Sequence, residues 1–231
     1  MTKAKIAPRR PVAVEADTAD LPEAVRGRQV APVLIVAIVI GAVLGTGLLV
    51  DKALEPQLPA ALAGCQTSTQ IGQHEFIGPQ PICITANHSY QATVNTTQGA
   101  IVIQLHPEIA PVTVNNFIVL AIHGYYNSLT FWDSETWVVQ GGDPLGNGRG
   151  GPGYVLPDEP SSDPWGLAAV GMARPPGGAV NGSQFFIQKA AWPDPGPTAV
   201  YNQFGTVIAG MDKAQLLQAT DSITSITIQV S

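Results

Sequence analysis

Few residues in this 231-residue chain are equipped for chemistry, and most of those can be set aside by spacing. Cys65 and Cys83 are the only cysteines. They form the simplest possible disulfide pair, closing a loop from Gln66 to Ile82, with two free buried thiols as the other reading. A bridge of that span stabilises by roughly 3 kcal/mol. His106 and His123 flank one helical stretch without metal-ligand spacing, so no metal site is expected. The run Gly146–Gly153 is a glycine loop. It lacks the Gly-Lys-Ser/Thr ending of a phosphate loop, and no helix follows to hold an anion. What remains is a set of amides, aromatics and scattered charges. Gln140 and Gln184 can hold the backbone of a bound peptide or satisfy buried backbone groups. Trp137 and Phe186 can wall a pocket or fill a core, and Phe185 reads as core. Asp133 and Glu135 read as a solvated acidic face, Arg149 as a loop charge and Arg174 as a surface cation.

The elements that position these residues occupy only part of the chain. Residues 31–50 run about twenty positions without a charge, enough for a helix to span a bilayer. Arg26 and Arg28 precede the run and Asp51 follows it. The positive-inside rule therefore predicts a cytoplasmic tail over 1–30, a transmembrane helix over 31–50 and an extracytoplasmic remainder in the cell membrane. A cleaved signal peptide is the rival, but the region before the run and the run itself are both long for one. Leu62–Cys65 matches a lipoprotein cleavage box by letters, yet a polar, proline-containing stretch separates it from the apolar run. Residues 51–88 hold Pro56, Pro59, Pro79 and Pro81 and read as a connector. Beyond the apolar run the chain is acidic and has only five cations, so no basic stripe exists to bind nucleic acid.

The folded domain is expected over 89–231. Tyr90–Leu105 alternates apolar and polar residues around a Gln98-Gly99 turn, the pattern of a hairpin. Val114, Phe117, Ile118 and Ala121 share one helix face, and Gly124 stands where a C-terminal cap belongs. Trp137–Val139, Phe185–Ile187 and Ile223–Val230 read as strands, and Gln215–Ala219 as a second short helix.

Six motifs, taken in order, resemble the cyclophilin family of peptidyl-prolyl isomerases. They are Ile109–Phe117, Tyr125–Phe131, Gln140–Pro144, Gly150–Tyr154 with Asp158-Glu159, Asn181–Ile187 and Phe204–Asp212. The resemblance implies a mainly β fold, a closed eight-stranded antiparallel barrel capped by two helices. It implies proline-containing peptides or exported proteins as partners, and no cofactor. It also makes Trp137 and Phe186 aromatic walls of a proline pocket, with Val138 in the place of a methionine and Tyr201 in that of a histidine. Gln140, Ala173 and Gln184 become peptide-binding positions.

One position departs. Rotation about a prolyl bond faces a barrier of about 18–20 kcal/mol, and a donor aimed at the prolyl nitrogen stabilises only the twisted state. The family supplies that donor as an arginine two residues after a strand phenylalanine. Here the place reads Phe131-Trp132-Asp133, and the segment to Gln140 is one residue short. An ionised carboxylate only accepts. Catalysis is therefore expected to be weak or absent, with Arg174 the sole candidate substitute. A proline-peptide-binding or structural module tethered at the cell surface is the alternative.

Overall fold

The computed structural model describes residues 58–231, apart from Ala86, Asp194, Pro195 and Thr198. The expected tail and the apolar run over 31–50 lie outside the described residues. Among the described residues no helix is long and apolar enough to cross a membrane.

Twelve strands occur among the described residues. Two short ones, β1 (Gln70–Gly72) and β2 (Glu75–Phe76), form a small hairpin ahead of the main sheet. The predicted hairpin follows as β3 (Tyr90–Thr96) and β4 (Gly99–Leu105). Its alternation becomes burial: Tyr90, Ala92 and Val94 face the core from one strand, and Ile101, Ile103 and Leu105 from the other. After them come β5 (Asp133–Ser134), β6 (Val138–Gly141), β7 (Val155–Leu156), β8 (Ala169–Met172), β9 (Val180–Asn181), β10 (Phe185–Gln188), β11 (Gln203–Ala209) and β12 (Ile223–Val230). Eight of them build one antiparallel sheet in the order β12-β3-β4-β11-β8-β10-β6-β5, and β7 pairs with β9 outside it.

A closed barrel requires a ladder between the edge strands β5 and β12. β5 is only two residues long, and the edges instead meet at one isolated bridge, Thr130 to Ser222. Flanking backbone bonds back it: Ser128 donates to Ile223, Ile223 to Leu129 and Phe131 to Asp221. The strand pairing thus gives a curled eight-stranded sheet, and the expected full closure is not among its ladders.

Helix α1 (Pro111–Ile122) starts on a proline, which has no N–H to leave orphaned. The next two N–H groups, of Val112 and Thr113, donate to the Glu159 carboxylate at 2.9 Å each. A loop 46 residues away in sequence therefore caps this helix. At the other end Gly124 takes φ 69°, and Tyr125 N–H returns to Leu120 O at 3.0 Å. The buried face puts Phe117 against Tyr126, Phe185 and Phe204, with ring centroids 5.1–5.6 Å apart. Helix α2 spans Met211–Leu216, earlier than the expected Gln215–Ala219. The chain turns extended at Leu217, ψ 133°, so that this leucine can be fully buried.

The connector expected over 51–88 needs correction. From Leu58 onward the segment packs on the sheet and α1. A 3-10 helix (Ala60–Gln66) buries Leu62 and Cys65, and Cys65 is bonded to Cys83 with Cα atoms 5.1 Å apart. Asn115 of α1 accepts from Cys83 N–H at 2.8 Å and donates to Pro81 O at 2.9 Å. Phe76 is buried, and its N–H donates to Pro152 O at 2.9 Å. Irregularly spaced apolar residues with no period of 2 or 3.6 gave no warning of this packing. Engaged with Cys83, the Cys65 sulfur is not available for lipid attachment.

Candidate functional site

Strand register assembles the site. Asp133 pairs with Gln140, Gln140 with Phe186, Phe186 with Gly171 and Gly171 with Gln203. Directly opposed residues of antiparallel strands point to the same face. These five positions therefore form one row across β5, β6, β10, β8 and β11. The neighbouring row, Val139, Ile187 and Val170, points into the core and is fully buried.

The row is covered at its centre. Phe186, Val138 and Ala173 form a small apolar cluster of their own, with Trp137, Trp165, Trp192 and Tyr201 packed around it. Trp165 lies 5.4 Å from Phe186 between ring centroids, Tyr201 5.7 Å and Trp192 5.8 Å. Trp192 also reaches Trp137 at 5.0 Å, linking the two predicted walls. Only 3% of Phe186 is exposed, so a ligand ring can reach it only if a wall ring moves. Gly171 makes the packing possible: a Cβ there would stand 2.5 Å from Trp165 and 2.7 Å from Phe186. The sequence reading missed Trp165 altogether and left Trp192 without a role. Both sit in proline-containing loops whose path only the folded chain reveals.

Beside the aromatics stands the polar part. Gln140 Nε2 donates to Gln184 Oε1 at 2.9 Å, and Gln184 Nε2 donates to Gly150 O at 2.7 Å. Ala173 N–H donates to Gln184 O at 2.8 Å. Gln184 is thereby fixed, while Gln140 Oε1 keeps its accepting capacity for a peptide N–H. Gly142 lets the strand turn away directly after β6. It takes φ 84°, and a Cβ would lie 2.4 Å from Ser183 O. Asp143 then organises the glycine loop by accepting from Leu145, Asn147 and Gly148 N–H groups. Gln188, opposite Val138 in register, is fully buried with neither side-chain amide atom partnered.

The charged groups lie at the β5 end of the row and around its rim. Asp133 occupies the Gln140 face. Burial first, and the nearby Glu135 second, raise its pKa above the ordinary 3.8, while Ser134 N–H and Lys189 oppose the rise. Lys189 donates to Ser134 Oγ at 3.1 Å. Ser134 pairs with Val139, so this bond lies on the other face from Asp133. Burial lowers the Lys189 pKa against the pull of Asp133. Trp132 packs on the loop at Gly148, its buried Nε1 without a partner. Each Arg174 nitrogen already holds one acceptor, and the residue lines the same pocket as Gln140, Ala173 and Gln184. Nε donates to Gly178 O at 3.1 Å, Nη1 to Val200 O at 2.6 Å and Nη2 to Asp158 at 2.9 Å, and its side chain is 12% exposed. Among the described residues no group of three or more His, Cys, Asp or Glu is placed to hold a metal.

The family model described as cyclophilin type peptidyl-prolyl cis-trans isomerase/CLD matches residues 91–229. The chain is 38% identical over 129 residues to peptidyl-prolyl cis-trans isomerase B of Bacillus subtilis, covering 54% of this chain and 88% of that one. It is 40% identical over 137 residues to the Schizosaccharomyces pombe isomerase ppi1, covering 56% and 86%. A cyclophilin type isomerase of Cryptosporidium parvum superposes with a TM-score of 0.53 at 26% identity, covering 61% of this chain and 98% of that one. The same protein has been solved in the presence of the dipeptide Ala-Pro. This chain belongs to the cyclophilin-type peptidyl-prolyl cis-trans isomerase family.

Proposed function

We propose that the folded unit is a cyclophilin-type module that binds proline-containing segments of exported proteins and turns them over slowly or not at all. The observation that carries this is the occupant of the row's first position. Asp133, in register with Gln140, stands where a donor to the prolyl nitrogen is needed. The cation named as its substitute, Arg174, is held by a bond from each nitrogen, to Gly178, Val200 and Asp158, which works against its turning to a prolyl nitrogen. A donor directed at the twisted nitrogen acts on the transition state alone, and losing such a donor costs about a hundred- to a thousand-fold in rate. Gln140, Gln184 and Ala173 line one pocket, and Gln140 Oε1 is left to accept from a peptide N–H, which supports binding over turnover.

The apolar run over 31–50 anchors the chain, N-terminus inside, and the unit works on the outer side. The Cys65–Cys83 bond supports this reading, since disulfides persist in oxidising compartments. Recovery of the full chain in the membrane fraction, with protease cutting the folded unit only from outside, is the expected result.

The catalytic proposal is tested by following cis-trans exchange of an Ala-Pro tetrapeptide by the full chain and by the Trp132→His/Asp133→Arg double variant. Wild-type turnover within tenfold of an ordinary cyclophilin overturns it. If neither protein binds the tetrapeptide, the unit is a structural part with a closed pocket.

A further inference from the structure

A groove of about 670 Å³ runs beside the site, between the β1–β2 turn and the Gly146–Gly153 loop. His74 and Glu75 form one wall, and Leu145, Arg149 and Tyr154 the other. We infer that this groove holds the stretch of polypeptide flanking the bound proline on the Gln140 side, with an acidic side chain of that stretch set against Arg149. The inference rests on the proline-binding reading above and adds a choice of sequence to it.

Three observations lead there. The first is continuity. Arg149 and Asn181 line this groove and also the adjoining pocket of about 350 Å³ that contains Gln140, Ala173 and Gln184. An extended chain held by Gln140 can therefore pass from one to the other without leaving the surface. The second is a prepared wall. Phe76 N–H is bonded to Pro152 O, and Gln80 Nε2 donates to Tyr154 Oη at 3.0 Å, which in turn donates to Asn116. Asn181 Nδ2 holds Gly150 O at 3.0 Å. The hairpin thus forms a fixed rim, and ordering it costs a ligand little. The third is surface chemistry. Leu145 is 65% exposed and Val155 57%, so apolar surface of the groove is open to water. The Arg149 guanidinium, in the same lining, makes no hydrogen bond or ion pair among the described residues, unlike Arg174. A guanidinium matches a carboxylate in a two-pronged contact. Glu75 stands in the opposite wall and opposes an acidic ligand, which sets the size of the effect and gives a second handle on it.

The test is a titration of the full chain with Ala-Pro peptides, read by tryptophan fluorescence, because Trp137, Trp165 and Trp192 surround Phe186. A glutamate is stepped through the second, third and fourth positions on each side of the proline, with glutamine at the same place as its reference. The expected result is a glutamate-over-glutamine preference of roughly three- to tenfold, on one side of the proline only and shrinking with salt. Arg149→Ala removes that ratio, Arg149→Lys keeps part of it, and Glu75→Gln enlarges it. Peptide binding with no ratio at any position, with equal ratios on both sides, or with a ratio surviving in Arg149→Ala overturns the inference and leaves proline binding standing. Failure of every peptide to bind overturns both.

Discussion

The two ends of one row of side chains behave differently. At the middle strands, β6, β10 and β8, the row carries interlocked amides, a covered aromatic ring and a glycine that lets Trp165 close in. At the edge, β5 carries an anion, is two residues long and meets β12 at a single bridge. Middle strands are bonded on both sides, so a change there disturbs two ladders. An edge strand is bonded on one side, and its residues can be exchanged at lower structural cost. The Asp133 departure thus falls where the fold tolerates change.

The largest expected effect tests the edge. Trp132→His with Asp133→Arg should raise turnover on an Ala-Pro tetrapeptide by about a hundred- to a thousand-fold if the donor is the only missing part. A gain below tenfold would place a second defect in the middle of the row, with the covered Phe186 as the first suspect. Next comes a change far from both ends. Removing the Cys65–Cys83 bond with a pair of serines should cost roughly 3 kcal/mol in denaturant unfolding. Affinity for a neutral Ala-Pro peptide, measured where the variant remains folded, should hold if the row alone makes the pocket. A smaller change tests the middle strands. Gln188→Leu removes an amide that has no partner, so the unit should gain about 1–3 kcal/mol in the same measurement. A loss would reveal a bonded partner for Gln188.

The smallest effect depends on pH. The folded-state pKa of Asp133 is raised, so folding favours its protonated form. Its contribution to stability is fully present below the unfolded value of 3.8 and is lost as pH rises through the raised folded value. Asp133→Asn should therefore stabilise the unit at neutral pH, by less than about 1 kcal/mol because water still reaches the site. The difference should vanish near pH 3. A variant less stable than wild type at pH 7 would show that the carboxylate is held by a favourable partner.

Local patterns in the chain carried much of this. The alternation in Tyr90–Leu105, the spacing of Val114, Phe117, Ile118 and Ala121, and Gly124 after them depend on residues a few positions apart, and they appear where expected. The ordered motifs carried the family and brought Gln140, Gln184, Ala173, Val138, Trp137, Phe186 and Tyr201 to one place. Asp133 was visible as a departure because Trp132-Asp133 stands where the motif has His-Arg, in a segment one residue short. Other features rest on contacts between distant segments and leave no period in the sequence. The segment from Leu58 docks through Asn115 and Pro152. Trp165 and Trp192 arrive from loops to close over Phe186, and the Glu159 carboxylate caps α1. Arg174 is immobilised by groups from three separate loops. A lone cation in the sequence carries no sign of whether its nitrogens are spoken for, and only the tertiary structure decides that.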